Sequence, residues 1–95
     1  MAPSKKADEH PTLSAFIDSL WLEEGLSRNT LDAYRRDLAL FDAWLRGQGK
    51  ALPEALEADI HGYFAERHAQ TRATTANRRL TVFRRYYRWA LRERF

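Results

Sequence analysis

Arginine dominates the end of the chain. From Thr71 to Phe95 there are eight (Arg72, Arg78, Arg79, Arg84, Arg85, Arg88, Arg92 and Arg94) against one acid, Glu93. That segment carries +7, so a total of +3 leaves −4 elsewhere. A guanidinium presents a planar fork of donors that matches a phosphate or a guanine edge better than lysine does. The asymmetry points to an anionic partner. Arg78, Arg85 and Arg92 are seven apart, so on a helix they fall nearly in line, with Arg84 and Arg88 beside them. Like charges at i, i+4 destabilise an isolated helix by about 0.2–0.5 kcal/mol per pair. The plainer alternative is a solvated basic face paired with Asp18, Glu23, Asp37 or Asp42 on other helices. In that case Arg88 and Arg92 also suit the negative end of the helix dipole.

Two segments resemble anion-binding helix starts. One reads Ser27-Arg28-Asn29-Thr30 and the other Thr71-Arg72-Ala73-Thr74-Thr75. Both offer hydroxyls, an arginine and the free N–H groups of a first helical turn, which suit a phosphate. Both are equally readable as ordinary capping sequences. Catalytic chemistry finds little support. His10, His61 and His68 are scattered and lack a carboxylate that would complete a metal site. Ser14, Ser19 and Ser27 stand in no nucleophile-elbow context, and there is no glycine-rich phosphate loop.

These residues have to be positioned by helices. Leu13, Phe16, Ile17 and Leu20 form a 3–4 stripe that predicts a first helix over about Leu13–Glu24, capped by Thr12 and ended by Gly25. Leu31, Tyr34, Leu38, Phe41 and Leu45 predict a second helix after Ser27, widened by Leu40 and Trp44 and ending near Arg46. A third is predicted over about Ala58–His68, with Ile60, Tyr63 and Phe64 inward and Leu56 beneath. A fourth runs from about Thr74 to Arg92 on an inward stripe of Ala76, Leu80, Phe83, Tyr87 and Leu91. Trp21, Trp44 and Trp89 are expected in or beside the core. No strand-like alternation occurs, so the class is an all-α four-helix bundle.

The bulk numbers agree with one small domain. The chain has 95 residues, 44% of them hydrophobic, and no cysteine. It has no apolar run long enough to cross a membrane, and Met1–Pro11 lacks the apolar core of a secretory signal. Residues 1–11 read as a flexible tail and 12–95 as the domain, with a cytoplasmic location expected.

The second helix carries a wider pattern: Ser27-x-x-Thr30-x-x-x-Tyr34-x-x-Asp37-Leu38, then Phe41 and Trp44. With Arg72-Ala73-Thr74-Thr75 through Arg78, Leu80, Arg84, Arg85 and Arg92-Glu93, it resembles the core-binding domain of phage-integrase-type tyrosine recombinases. The resemblance covers roughly Leu13 to Phe95. It implies a SAM-like bundle that closes over one face of duplex DNA, with its second and fourth helices against the major groove and flanking phosphates. The DNA-binding residues it implies are Arg28, Asn29, Thr30, Tyr34 and Arg35 on the second helix. On the fourth they are Arg72, Thr74, Thr75, Arg78, Arg79 and Arg85. The Tyr34 ring belongs to the apolar stripe, while its hydroxyl can still reach a phosphate.

The same resemblance places the nucleophilic tyrosine and its supporting residues in a second domain beyond Phe95. None of Tyr34, Tyr63, Tyr86 and Tyr87 stands in that motif, so this chain is expected to bind DNA and cut nothing. The parent enzyme is expected to exchange strands, as in chromosome dimer resolution or DNA integration. It would need no cofactor and act on no small-molecule substrate or membrane. Its expected partner is a sister recombinase in a heterotetramer, touched mainly through the first helix, Phe16 to Glu24. Two other readings stay open: a helical module whose arginine face docks an acidic protein, and the same domain from a phage or transposon integrase or from the sister recombinase.

Overall fold

The computed structural model describes residues 9–95. Most of the expected tail, Met1 to Asp8, therefore lies outside the described residues. Four α-helices follow: α1 (Pro11–Glu24), α2 (Arg28–Gly47), α3 (Glu57–Arg67) and α4 (Ala73–Arg92). Short 3-10 turns, Leu52–Glu54 and His68–Gln70, precede and follow α3. No strand forms among the described residues, and the bundle class expected from the sequence holds.

α1 starts earlier than its apolar stripe predicts. His10 is the N-cap, and its Nδ1 accepts from the Thr12 N–H at 3.2 Å. Pro11 fills the first turn, where its missing N–H costs nothing. Thr12 is instead buried and its hydroxyl lies 2.6 Å from that of Tyr86, tying α1 to α4. Gly25 ends the helix at φ +61°, a left-handed conformation that glycine adopts without a Cβ clash. Ser27 then caps α2 as expected, accepting from the Thr30 N–H at 3.2 Å.

Leu31, Leu38, Phe41 and Leu45 of α2 are buried as their spacing predicts. Around them stands a cluster of aromatic rings. Phe41 stacks on Phe83 at 4.7 Å between centroids and meets Tyr63 at 5.0 Å. Phe16 meets Tyr86 edge-on and Trp89 obliquely, each at 5.5 Å. Such pairs contribute about 0.5–1.5 kcal/mol each beyond the area they bury.

Several expected core residues lie elsewhere. Leu56 does not pack beneath α3 but is exposed, and Leu52 takes the buried place. Leu40 is also exposed, and so is Trp21, while Trp44 is half-buried and Trp89 fully in the core. The largest correction concerns α4. Its buried residues are Val82, Phe83, Tyr86, Trp89 and Ala90; Leu91 faces solvent and Ala76, Leu80 and Tyr87 are only half-buried. The helix is thus turned by roughly 100°, one residue's step, from the predicted phase.

Three outcomes test this packing. Leu38→Ala, at a fully buried site, should cost roughly 2–5 kcal/mol in denaturant unfolding. Gly62→Ala should do the opposite, because the added Cβ meets only Trp44 at an ordinary 3.7 Å. A gain of up to about 1 kcal/mol is expected from the lost glycine freedom, and a loss would mean that the packing against Trp44 does not accommodate the Cβ. Third, burial pushes the Tyr86 hydroxyl up from 10.0 to about 12, and raises Tyr87 and Tyr63 as well. Above pH 10 the unfolded chain ionises these phenols while the folded chain keeps them neutral. The stability they contribute is therefore complete below 10 and lost as pH climbs through about 12. Unfolding midpoints measured over that interval should fall, and a flat profile would contradict the burial of these rings.

Candidate nucleic-acid interface

The arginine-rich end is arranged around one carboxylate. Asp37 sits on α2 where α4 crosses it, and only 1% of it is exposed. Arg78 grips it with two hydrogen bonds, Nε to Oδ2 at 2.7 Å and Nη2 to Oδ1 at 2.9 Å. Arg79 adds a longer one, Nε to Oδ1 at 3.4 Å. A buried carboxylate stripped of its partners costs about 3–5 kcal/mol, so this contact holds the two helices in register. The hydrogen bonds it donates to Asp37 raise the Arg78 guanidinium above its usual range, and nearby Tyr34 adds to the shift.

The two adjacent arginines are placed differently. The Arg79 side chain is 15% exposed and Arg78 37%. Arg79 leans into a cavity of about 440 Å³ between the end of α3 and the start of α4, shared with Tyr63, Arg67 and Asn77. The Tyr63 hydroxyl nearby is buried without a hydrogen-bond partner among the described residues, and the Arg67 guanidinium lies 4.3 Å from its ring centre. Two turns at a time along α4 the row continues: Arg85 pairs with Glu24 at the end of α1, and Arg92 with its neighbour Glu93. Of the acids considered as partners for these arginines, Asp37 serves and Asp42 does not. Asp42 instead faces Arg46 and the His10 N–H.

What remains outward is a stripe of different composition. Thr74, Asn77, Thr81, Arg84 and Arg88 are all exposed and step by 3, 4, 3 and 4 along α4. Arg84 and Arg88 have no carboxylate within 4.0 Å among the described residues, and α4 itself contains no acid. Asn77 and Thr81 escaped the sequence reading. Their signal is helical phase: once the buried side is centred on Val82, Phe83 and Tyr86, they fall opposite it.

The two helix starts also differ. Ser27 closes α2, and its hydroxyl additionally donates to Thr30 Oγ1. The N-cap of α4 is Arg72, which supplies no side-chain oxygen. The first N–H groups of α4 are therefore free of a side-chain cap, beside exposed Thr74 and half-buried Thr75.

The structure separates the expected α2 residues into two groups. Arg35 is turned toward α1, where Nη1 donates to Glu9 at 3.0 Å and more weakly to Ser14 at 3.5 Å. Arg28, two turns earlier on the same flank, lines a groove with Ile17, Asp18 and Trp21. Thr30 and Tyr34 precede Asp37 by seven and three residues and share its flank, toward α4. Asn29 is exposed on the first turn. Arg28 and Arg35 thus stand on the side of α2 away from Arg78 and Arg85.

Three of the four tyrosines are committed to the fold. Tyr86 bonds to Thr12, Tyr87 donates to the Leu52 carbonyl at 2.6 Å, and Tyr63 is enclosed. Burial raises all three hydroxyls, which makes them harder to ionise.

Comparison with known proteins gives this geometry a context. The chain is 59% identical over 81 residues to the tyrosine recombinase XerD of Ralstonia nicotianae, covering 85% of this chain and 26% of that protein. It is 44% identical over 92 residues to XerD of Shewanella oneidensis, covering 96% and 30% respectively. For XerD of Pseudomonas aeruginosa the identity is 43% over 86 residues, covering 90% and 29%. The chain spans between a quarter and a third of the length of these relatives. No solved structure matches it significantly. Residues 13–94 match the phage integrase N-terminal SAM-like domain, and the chain belongs to that family.

Proposed function

We propose that this chain binds duplex DNA as the clamp-forming N-terminal domain of a site-specific tyrosine recombinase of the XerD kind. The observation that carries the reading is the outward side of α4. Thr74, Asn77, Thr81, Arg84 and Arg88 form an exposed, acid-free stripe, bordered by Arg78 and Arg85. Arginines and small polar side chains on one helix face are what phosphate and major-groove contact require. The N-terminus of α4, with Arg72, Thr74 and Thr75, lacks a side-chain cap and suits a phosphate. Asn29, Thr30 and Tyr34 extend the same surface onto α2. Arg28 and Arg35 lie on its far flank and are secondary.

In this reading the chain itself cleaves nothing. The nucleophile and its partners belong to a catalytic domain following Phe95, and the parent enzyme exchanges DNA strands in the cytoplasm with a sister recombinase. The outer side of α1 supports such an assembly, because Trp21 and Leu22 are 55% and 79% exposed. Residues 12–95 form the DNA-binding unit, and no metal or nucleotide enters the binding step.

Anisotropy of a labelled duplex checks the proposal. Affinity should fall steeply with salt, with a log–log slope of about −0.9 per phosphate neutralised. Replacing Arg84 and Arg88 together with Ala should weaken binding and make that slope shallower by roughly 2, with helicity unchanged. Arg28→Ala with Arg35→Ala should have the smaller effect. A wild-type chain with no salt slope, or one displaced as readily by polyglutamate as by unlabelled duplex, would replace DNA with an acidic protein partner.

A further inference from the structure

We infer that Asp37 is a specificity-determining positioning residue, which holds Arg78 in one orientation so that its free edge reads a guanine. The inference rests on the DNA-binding reading above and deepens it.

A guanidinium has five N–H donors. Asp37 occupies the edge formed by Nε and Nη2, at 2.7 and 2.9 Å. Nη1 and the second hydrogen of Nη2 remain, and Nη1 has no partner among the described residues. Those two groups form the end-on fork, which matches the paired O6 and N7 acceptors of guanine in the major groove. The Arg78 side chain is 37% exposed, so this end can be reached from outside.

The hold on the other edge is rigid. Asp37 is on the 20-residue helix α2, 1% exposed, and its Oδ1 is shared with Arg79. A free arginine would lose its rotamer freedom on binding and could turn to any acceptor within reach. Arg78 has largely lost that freedom already and can approach an acceptor pair from one direction only. Arg84 and Arg88 are the contrast: exposed and without a carboxylate partner among the described residues, they can follow whichever phosphate is near. The surface therefore divides its work. The unpaired arginines supply affinity for any duplex, and the braced one supplies discrimination.

This makes an unusual prediction of sign. Asp37→Asn removes a negative charge beside the DNA and breaks the double grip, since an amide offers only one oxygen. Binding to an arbitrary duplex should stay the same or tighten, while preference for the right sequence collapses. A merely structural role predicts that both fall together.

The full chain is used to enrich duplexes from a pool with a randomised centre. The enriched duplex and a scrambled one of equal composition are then titrated with wild type, Asp37→Asn, Arg78→Lys, Arg78→Ala and the Asp37→Asn/Arg78→Ala double variant. Helicity and thermal unfolding are measured for each. Asp37→Asn should lose roughly tenfold or more of the preference for the enriched duplex. It should keep its grip on the scrambled one, and a pool enriched with it should lack guanine at one otherwise fixed position. Arg78→Ala should lose the same preference, and the double variant no more than either alone. Arg78→Lys keeps an ion pair with Asp37 but has no fork, so it should fold and still lose the preference. That variant decides the matter if Asp37→Asn unfolds.

Two results would overturn the inference while leaving DNA binding intact. One is undiminished preference in folded Asp37→Asn or in Arg78→Lys. The other is an equal loss on both duplexes, which would place Arg78 on a phosphate. A wild-type chain that enriches no sequence yet binds duplex with a salt slope also removes the inference alone. Only a wild type with no salt-dependent duplex binding removes both readings.

Discussion

The fold depends on how one buried negative charge is neutralised. Asp37 is enclosed between α2 and α4, where a lone carboxylate would be intolerable and a paired one tolerable only with good geometry. Arg78 provides the double hydrogen bond, and Arg79 approaches the same oxygen from the next position. Two consecutive helical residues point about 100° apart. For both to reach one carboxylate, α4 must present the angle between them to α2. That requirement sets the phase of the whole helix. It turns Arg79 inward, leaves Arg78 at the rim, and sends Thr74, Asn77, Thr81, Arg84 and Arg88 outward.

The same constraint explains which elements were readable in advance. On α2 the apolar residues Leu31, Leu38, Phe41 and Leu45 are buried as their spacing indicates, and Ser27 uses its hydroxyl for the cap it suggests. The phase there was legible, but Asp37 and Asp42 share the buried side, Tyr34 is only half-buried and Leu40 faces solvent. On α4 the buried side includes an arginine, and an exposed leucine, Leu91, lies off it. A reading that counts arginine as outside and leucine as inside must choose the wrong phase. Tyr86 and Trp89 compound the error, because amphipathic aromatics fit either side until a partner for the hydroxyl is known. That partner is Thr12, which is also why Thr12 is not the cap of α1. The contacts that fix this phase, Thr12 with Tyr86 and Asp37 with Arg78, join residues far apart in the chain, where sequence spacing gives no information.

A count of arginines likewise overstates the charge available to a partner. Of the eight after Thr71, Arg78 and Arg79 share Asp37, Arg85 is matched by Glu24, and Arg92 faces Glu93. The expected pairing with acids on other helices thus holds for part of the ridge, while Arg84 and Arg88 keep an unpaired cationic surface among the described residues. Neither reading was complete because both treated the helix as a single face. The expected contribution of α2 divides in the same way. Arg28 and Arg35 lie toward α1 while Thr30 and Tyr34 lie toward α4, a split that follows from helical geometry once Asp37 is known to face α4.

In the proposed DNA-binding reading, an acid buried beneath the binding surface works against it electrostatically, since it lowers the positive potential that draws in the duplex. The compensation is geometric. Phosphates are presented at every step of a duplex whatever its sequence, so charge alone cannot tell one site from another. Base edges differ in the direction and spacing of their acceptors, and only a donor pair fixed in direction can exploit that difference. A flexible arginine near a guanine is also near several phosphates. Asp37 removes those options from Arg78 by occupying its inner edge. In that proposed reading, the binding strength given up at this position is supplied by Arg84 and Arg88 further along the helix, and what is gained is a donor pair that points one way.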